Sequence, residues 1–338
     1  MGERRSPLRL GVAGVGSLGF HHARIARELP GVTLSGFHDP RADRADEVVS
    51  QLGIRSLPSL PSLLGEVEAL VVATPTTTHA DVACAALDRG VHVFIEKPIA
   101  SDLAQADLIL EAASRTGTRV QVGHVERFNT ALVGARPYLE APLFIESHRL
   151  APFTERGTDV AVVLDLMIHD VDLVASLVGQ PVVSFEATGI PVLTPSVDIA
   201  NARIRFDGGA VANLTASRVS MERMRKLRIF QKSGYLSLNL ASGTGEFLRL
   251  KRDIPTFLDG WRPEGKGPLA LDISSIVERI PLSAEPVEPL RRELEGFRDA
   301  IISGTEPPVT GREGREALAT ALAIEDRIMS HVSHTSSA

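Results

Sequence analysis

Between Leu8 and Gly123 the chain repeats one pattern, a short apolar run followed by a stretch of helical period. The runs are LRLGVAG, VTLSGFHD, ALVVATP, HVFIEKP and RVQVGH. The helical stretches lie at His21–Glu28, Ala42–Leu52, His79–Arg89 and Leu103–Arg115, each closing near a glycine or proline as helix ends do. Strands that alternate with crossover-length helices predict βαβ units and a parallel sheet. This confines the first part of the chain, expected as a domain over residues 1–124, to a doubly wound α/β fold.

After His124 the texture changes. A helix is expected near Thr130–Leu139, a strand near Leu143–Leu150 and a helix from about Val162 to Leu177. Strands then dominate. NARIRFDGGAVANLTASRV turns at Asp-Gly-Gly, and RKLRIFQKSGYLSLNL turns at Ser233-Gly234, so both read as antiparallel hairpins. The stretch Ile254–Pro289 reads as loop or irregular, helices follow near Leu290–Ser303 and Arg312–Met329, and SHTSSA is a frayed tail. At 338 residues the chain is too long for one ordinary core, which makes 125–338 a second domain, an α/β body with a mostly antiparallel open sheet.

Composition removes several function classes. A net charge of -6 gives no general attraction to nucleic acid or anionic lipid, so an anionic ligand needs a local basic site. One cysteine, Cys84, excludes a disulfide framework, permits a reducing compartment and reads as a core residue. No apolar stretch approaches the roughly 20 residues of a membrane span. Arg4 and Arg5 ahead of LRLGVAGVGSLGF imitate a signal sequence, but that apolar run is the first strand with its glycines. The arginines read as a solvated tail, and a cytoplasmic location is expected. No metal site is expected.

Gly14-Val15-Gly16-Ser17-Leu18-Gly19 follows a strand and opens a helix. Its first glycine permits the tight turn, its second admits a pyrophosphate, and its third lets helix and strand pack closely. Asp39 ends the second strand about 20 residues on, where a carboxylate binds the adenosine ribose hydroxyls and repels a 2′-phosphate. NAD is therefore expected over NADP, with Arg41 and Arg44 near enough to keep NADP open. The alternative is a structural glycine turn with Asp39 as a helix cap. Thr74-Pro75, at the end of ALVVATP, places a polar turn at the carboxyl edge of the sheet, suited to the nicotinamide side. Thr77 or Thr78 is equally an N-cap, and His79 either a cofactor contact or only a first-turn residue.

HVFIEKP ends a strand on the same edge with Glu96, Lys97 and Pro98. A lysine there is ordinarily surface charge, but turned into a cleft and partly desolvated it can polarise or deprotonate a hydroxyl. In VVLDLMIHDVDLVASLVG, Asp165 and His169 stand four apart and share one helix face, while Leu164, Ile168, Val171 and Ala175 form an apolar one. Oxidising a secondary alcohol needs a base for its proton, and imidazole is poised for that near neutral pH. His169 is the candidate base with Asp165 to orient it. The alternative is that His169, Asp170 and Asp172 form a solvated polar face.

Together GVAGVGSLG, Asp39, ATPTTTHADVACAALDRGVHVFIEKP, the Asp165-to-His169 helix and EGFRDAIISGTEPPVTGREGREALATALAIEDRI resemble the Gfo/Idh/MocA family of sugar and inositol oxidoreductases. The resemblance runs across the whole chain. It implies that Lys97, Asp165 and His169 match the family's catalytic lysine, aspartate and histidine, with lysine and histidine able to exchange roles. It also implies that Glu96 and the Thr74-Pro75 turn line the nicotinamide half, and that the open sheet makes homo-oligomer contacts in a dimer or tetramer. VGHVERFNTAL and DVAVVLDLMIHDVDLV look most like the nucleotide-sugar branch, the UDP-N-acetylglucosamine 3-dehydrogenases, although Asn129-Thr130 stands where that branch often has Asn-Pro. A UDP-sugar needs cations or amides, for which Arg127, Asn129, Arg149 and Arg156 are candidates by analogy, each an ordinary surface residue by default. The basic stretch Arg218–Arg228 reads as a solvated strand face. The rival functions are dehydrogenation of a free polyol, inositol or hexose, and a non-redox or redox-neutral role for a bound NAD.

Overall fold

The structure, a computed structural model, describes residues 6–154, 160–251 and 277–335, with side chains through 330. Arg4 and Arg5, Arg156, and the end of the tail lie outside the described residues. The chain divides into two compact units, Met1–Phe128 with Val287–Ala323, and Asn129–Pro286 with Ile324–Ala338.

In the first unit, β1 (Leu8–Ala13), β2 (Val32–His38), β3 (Ala69–Val72), β4 (His92–Glu96) and β5 (Val120–Gly123) form a parallel sheet in the order β2-β1-β3-β4-β5. The order reverses between β1 and β3, which is the place where an open α/β sheet leaves a ligand crevice beyond its carboxyl ends. Helices α1 (Ser17–Glu28), α2 (Ala42–Leu52), α3 (Leu60–Leu64), α4 (His79–Leu87) and α5 (Leu103–Thr116) make the connections. Their ends follow local chemistry: the Asp102 side chain caps α5 by accepting from Gln105 N at 2.9 Å, and Gly117 closes it in the left-handed conformation. Cys84 on α4 is half-buried rather than core, and burial pushes its thiol pKa up, with Asp88 and Asp81 adding to the shift.

The sequence-expected boundary at 124/125 differs from the packing. The chain leaves the first unit after Phe128, and Val287–Ala323 returns to it. Leu294 and Phe297 of α8 (Pro289–Ser303) join the core built around Leu10, Val12, Phe37 and Phe94. Gln121 Nε2 donates to Glu293 O at 3.0 Å, and Val122 N to Val309 O at 3.1 Å. No local pattern signals this return, because a helix's apolar stripe does not say which sheet will cover it.

The second unit holds an eight-stranded sheet in the order β13-β12-β11-β10-β6-β9-β8-β7. Its strands are β6 (Phe144–Leu150), β7 (Val182–Ile190), β8 (Ile199–Phe206), β9 (Val211–Ser217), β10 (Met224–Gln231), β11 (Gly234–Asn239), β12 (Thr244–Leu250) and β13 (Val277–Leu282). All pairings are antiparallel except β6 with β9. Both expected hairpins form, the first at Asp207–Gly209 and the second at Lys232–Ser233, one residue before the expected Ser233-Gly234. β13 is a correction, since Val277–Leu282 was expected as loop; among the described residues it is an edge strand, a position that tolerates Pro281. The helix expected at Thr130–Leu139 is α6 (Thr130–Ala135), tightening at Arg136–Tyr138 where Pro137 removes a donor. The helix expected from Val162 is not uniform: Val163–Met167 is a π-helical turn, followed by α7 (Ile168–Val178). The final helix α9 (Gly311–Thr335) runs past the expected end at Met329 and belongs to the second unit from Ile324 onward. No described helix is long and apolar enough to cross a membrane.

Candidate functional site

The glycine turn sits at the carboxyl end of β1. Gly14 has φ of 81°, which only glycine adopts without strain, and its N–H donates to His38 O at 2.8 Å. A Cβ on Gly19 would lie 1.9 Å from Gly14 O, so helix and turn approach as closely as a side-chain-free residue permits. Gly16 caps α1 without any side-chain hydrogen bond, leaving the first-turn N–H groups to an anion, with Ser17 and Leu18 exposed beside them. The cradle that a Cβ would fill, with a bare helix N-terminus behind it, fits the pyrophosphate of a dinucleotide.

Asp39 is brought to this turn, and its carboxylate is already engaged. Oδ1 accepts from Arg41 N and Nε at 3.0 and 3.1 Å, while Oδ2 accepts from Val15 N and Arg41 Nη2 at 2.9 and 3.1 Å. A carboxylate offers about four acceptor positions, and these four donors occupy them, so a diol binding here would have to displace part of the Arg41 fork. Burial alone would raise the Asp39 pKa, but Arg41 and the Val15 amide outweigh it and the net shift is downward. The Arg41 side chain is 58% exposed. Arg44 is fixed more firmly, with Nε donating to Val15 O at 2.7 Å and its guanidinium over the Phe20 ring.

Along the same edge, Thr78 Oγ1 donates to Thr74 Oγ1 at 2.9 Å and to Pro75 O at 2.8 Å, and it makes no side-chain cap on α4. Thr78 therefore occupies the N-cap position, one of the two readings of this turn, but its side chain closes the turn instead of capping the helix. His79 is 1% exposed, with Nδ1 2.9 Å from Pro98 O and Nε2 3.0 Å from Thr74 O. Both nitrogens face main-chain oxygens, which corrects the reading of His79 as a direct cofactor contact. Glu96 is buried, and its Oε1 accepts from His22 Nε2 at 2.5 Å. Lys97 is half-buried, and its peptide bond to Pro98 is cis.

In the second unit Asp165 lies in the π-helical turn and His169 in the first turn of α7, both half-buried. Their spacing of four therefore spans the joint between two helical geometries. Single π-turns of this kind recur at functional sites. Asp170 and Asp172 are buried, which removes the solvated-face alternative. Asp170 takes a bidentate pair from Arg149, at 2.8 and 3.0 Å, with both side chains nearly inaccessible.

That pair corrects one substrate candidate, because a guanidinium buried on β6 against its own carboxylate is not presented to a phosphate. Asn129 is also structural: its Oδ1 accepts from Ala131 N to cap α6, and its Nδ2 donates to Leu240 O at 2.8 Å. Arg127 donates to Glu313 Oε1 at 2.7 Å, an arrangement that lowers the Glu313 pKa against the opposing effect of burial. Arg156 lies outside the described residues. Arg218 also departs from the expected solvated face; it is 4% exposed and bonded to Val160 O. Residue spacing had pointed to neither His22 nor the Arg149–Asp170 pair. His22 was open to detection, since Ile25 and Ala26 follow it at helical spacing on a buried face.

The family model described as an oxidoreductase family with NAD-binding Rossmann fold matches residues 8–124, and the GFO/IDH/MocA C-terminal domain model matches residues 121–237. The chain is 36% identical over 318 residues to the UDP-N-acetylglucosamine 3-dehydrogenase of Acidithiobacillus ferrooxidans, covering 94% of this chain and 96% of that one. It is 31% identical over 232 residues to the scyllo-inositol 2-dehydrogenase (NAD(+)) of Bacillus subtilis, covering 63% and 68%. A solved structure of the Acidithiobacillus ferrooxidans enzyme matches with a TM-score of 0.84 at 34% identity, covering 96% and 98%. With a Rossmann unit, an open antiparallel unit and family matches from residue 8 to residue 237, this chain belongs to the Gfo/Idh/MocA family of oxidoreductases.

Proposed function

We propose that the chain oxidises a secondary hydroxyl of a sugar, carbon 3 of UDP-N-acetylglucosamine, to the 3-keto sugar with NAD as the oxidant. The observation that carries this reading is the similarity to a UDP-N-acetylglucosamine 3-dehydrogenase along nearly the whole of both chains. Gly14, Gly16, Ser17, Leu18 and Gly19 hold the pyrophosphate, Asp39 the adenosine ribose, and Thr74, Pro75, Glu96 and Lys97 the nicotinamide half. When bound, the nicotinamide supplies a hydride acceptor. His169 takes the hydroxyl proton, Asp165 orients the ring and stabilises its positive charge, and the Lys97 ammonium stabilises oxygen as negative charge develops on it. Arg156 remains a proposed contact to the nucleotide sugar.

The relatives named as inositol dehydrogenases favour a second reading, oxidation of a free cyclitol or hexose. The deciding assay follows NADH formation with UDP-N-acetylglucosamine, myo-inositol and glucose, with a glutamate-dependent aminotransferase present to trap the 3-keto product. Turnover of the nucleotide sugar, falling about 10²- to 10⁴-fold in Lys97→Ala and His169→Ala, is the expected result. Turnover of free cyclitols alone establishes the second reading.

We further propose that the protein works in the cytoplasm as a homo-oligomer, a dimer or tetramer, through the open face of the eight-stranded sheet. That face carries the half-buried rings of Phe144, Phe230 and Tyr235 in a row, with centroids 5.8 and 5.1 Å apart. Light scattering tests the oligomer, and a monomer rejects it.

A further inference from the structure

We infer that two buried histidines, His79 and His22, are positioning residues for Lys97, each tethering one of its two chain neighbours. The inference rests on the reading of Lys97 as an acid-base group. Glu96, before the lysine, is tied through its carboxylate to His22 Nε2 of α1 at 2.5 Å. Pro98, after the lysine, presents its carbonyl to His79 Nδ1 of α4 at 2.9 Å. The other nitrogen of His79 lies 3.0 Å from Thr74 O, so the ring sits between the turns that follow β3 and β4.

Neither imidazole is placed for contact with solvent. His22 is fully buried, with its ring edge-on to Phe94 at 5.0 Å, and His79 is 1% exposed. A buried imidazole is costly unless its nitrogens are used, and one nitrogen of each ring, His22 Nε2 and His79 Nδ1, faces a neighbour of the lysine. Thr74 is itself bonded to Thr78, one residue before His79, which closes the β3 turn into a single unit with the start of α4. The effect is to hold the side chain before Lys97 and the main chain after it. A misplacement of about 1 Å at a reacting group can cost on the order of 10²-fold in rate.

Burial pushes the His79 pKa down, against the pull of Pro98 O, Thr74 O and Glu96. The neutral ring donates through one nitrogen only, and substitutions can show which one matters. An asparagine amide nitrogen stands in for Nδ1 and keeps the Pro98 contact; a glutamine amide nitrogen stands in for Nε2 and keeps Thr74. If His79 acts through Pro98 on Lys97, His79→Asn retains more kcat than His79→Gln, and His79→Phe fills the space while losing both contacts.

The experiment measures kcat, KM for the sugar, NAD affinity by calorimetry and amide hydrogen exchange in full-length His79→Phe, His79→Asn, His79→Gln, Lys97→Ala and His79→Phe/Lys97→Ala. The expected result is faster exchange across 96–100 in His79→Phe and a kcat loss of about 10- to 100-fold with KM and NAD affinity nearly unchanged. His79→Asn is expected to recover part of that loss, and the loss is expected to vanish in the Lys97→Ala background. Unchanged exchange across 96–100 overturns the tether whatever Lys97 does. An additive loss in the double variant, or Gln outperforming Asn, overturns the route through Pro98. Faster exchange together with wild-type turnover of Lys97→Ala shows instead that the reading of Lys97 has failed, and the positioning role falls with it.

Discussion

The two units hold their candidate site residues by different means. In the first, the carboxyl edge of the parallel sheet is shaped by main-chain turns at Gly14, Thr74 and Glu96–Pro98, secured by side chains that bond to backbone oxygens. In the second, Asp165 and His169 ride on a π-turn and helix whose placement depends on a buried ion pair between that helix and the sheet, Arg149 with Asp170. Backbone turns are local and tolerate chemistry at their tips. A buried ion pair is non-local and unforgiving, since losing one partner strands the other charge without solvent.

The comparison is broken most directly at Arg149. Arg149→Ala is expected to cost about 3–5 kcal/mol, read as a fall in the urea midpoint, because Asp170 is left charged and buried. Arg149→Met with Asp170→Leu should return much of that loss; if it does not, the pair does more than neutralise its own burial. A smaller effect is expected at Asp198, whose carboxylate accepts from the amides of Val192, Leu193 and Thr194 and from the Thr194 hydroxyl. Burial raises its pKa, but these donors prevail and hold it at about 2, below the ordinary 3.8. A carboxyl depressed on folding adds stability that is present above its unfolded value and disappears as pH falls through its folded one. About 2 kcal/mol should therefore be lost between about pH 4 and pH 2, and Asp198→Asn should lack this acid limb in unfolding measured across that range.

The smallest effect tests the first unit. Arg41→Ala removes an exposed fork from Asp39 and returns two of its acceptor positions, the backbone N–H of residue 41 keeping the third, so NAD should bind a few-fold more tightly and NADP more weakly, by about 1 kcal/mol in their difference. Calorimetry with both cofactors reads this. Equal loss for both would mean that Arg41 holds the shared part of the dinucleotide, and that the turn at Asp39 does not set the choice.

Much of the first unit was legible in sequence because its instructions are contiguous. A strand, a glycine turn and a helix are written contiguously from Leu8 to Glu28, and Glu96-Lys97-Pro98 closes a strand in plain view. Asp39 and the hairpins at Asp207–Gly209 and Lys232–Ser233 were readable for the same reason. Three features were not. The engagement of Asp39 by Arg41 depends on a side-chain rotamer, the burial of Arg149 and Asn129 depends on which face of a strand or cap meets the core, and the return of Val287–Ala323 to the first unit depends on packing between segments more than a hundred residues apart. Period and turn chemistry act over one element and so are decided by neighbouring residues. The partner of a buried polar group is decided only when distant elements exclude water from it, which is why His22 and His79 became meaningful only once Glu96, Pro98 and Thr74 were seen beside them.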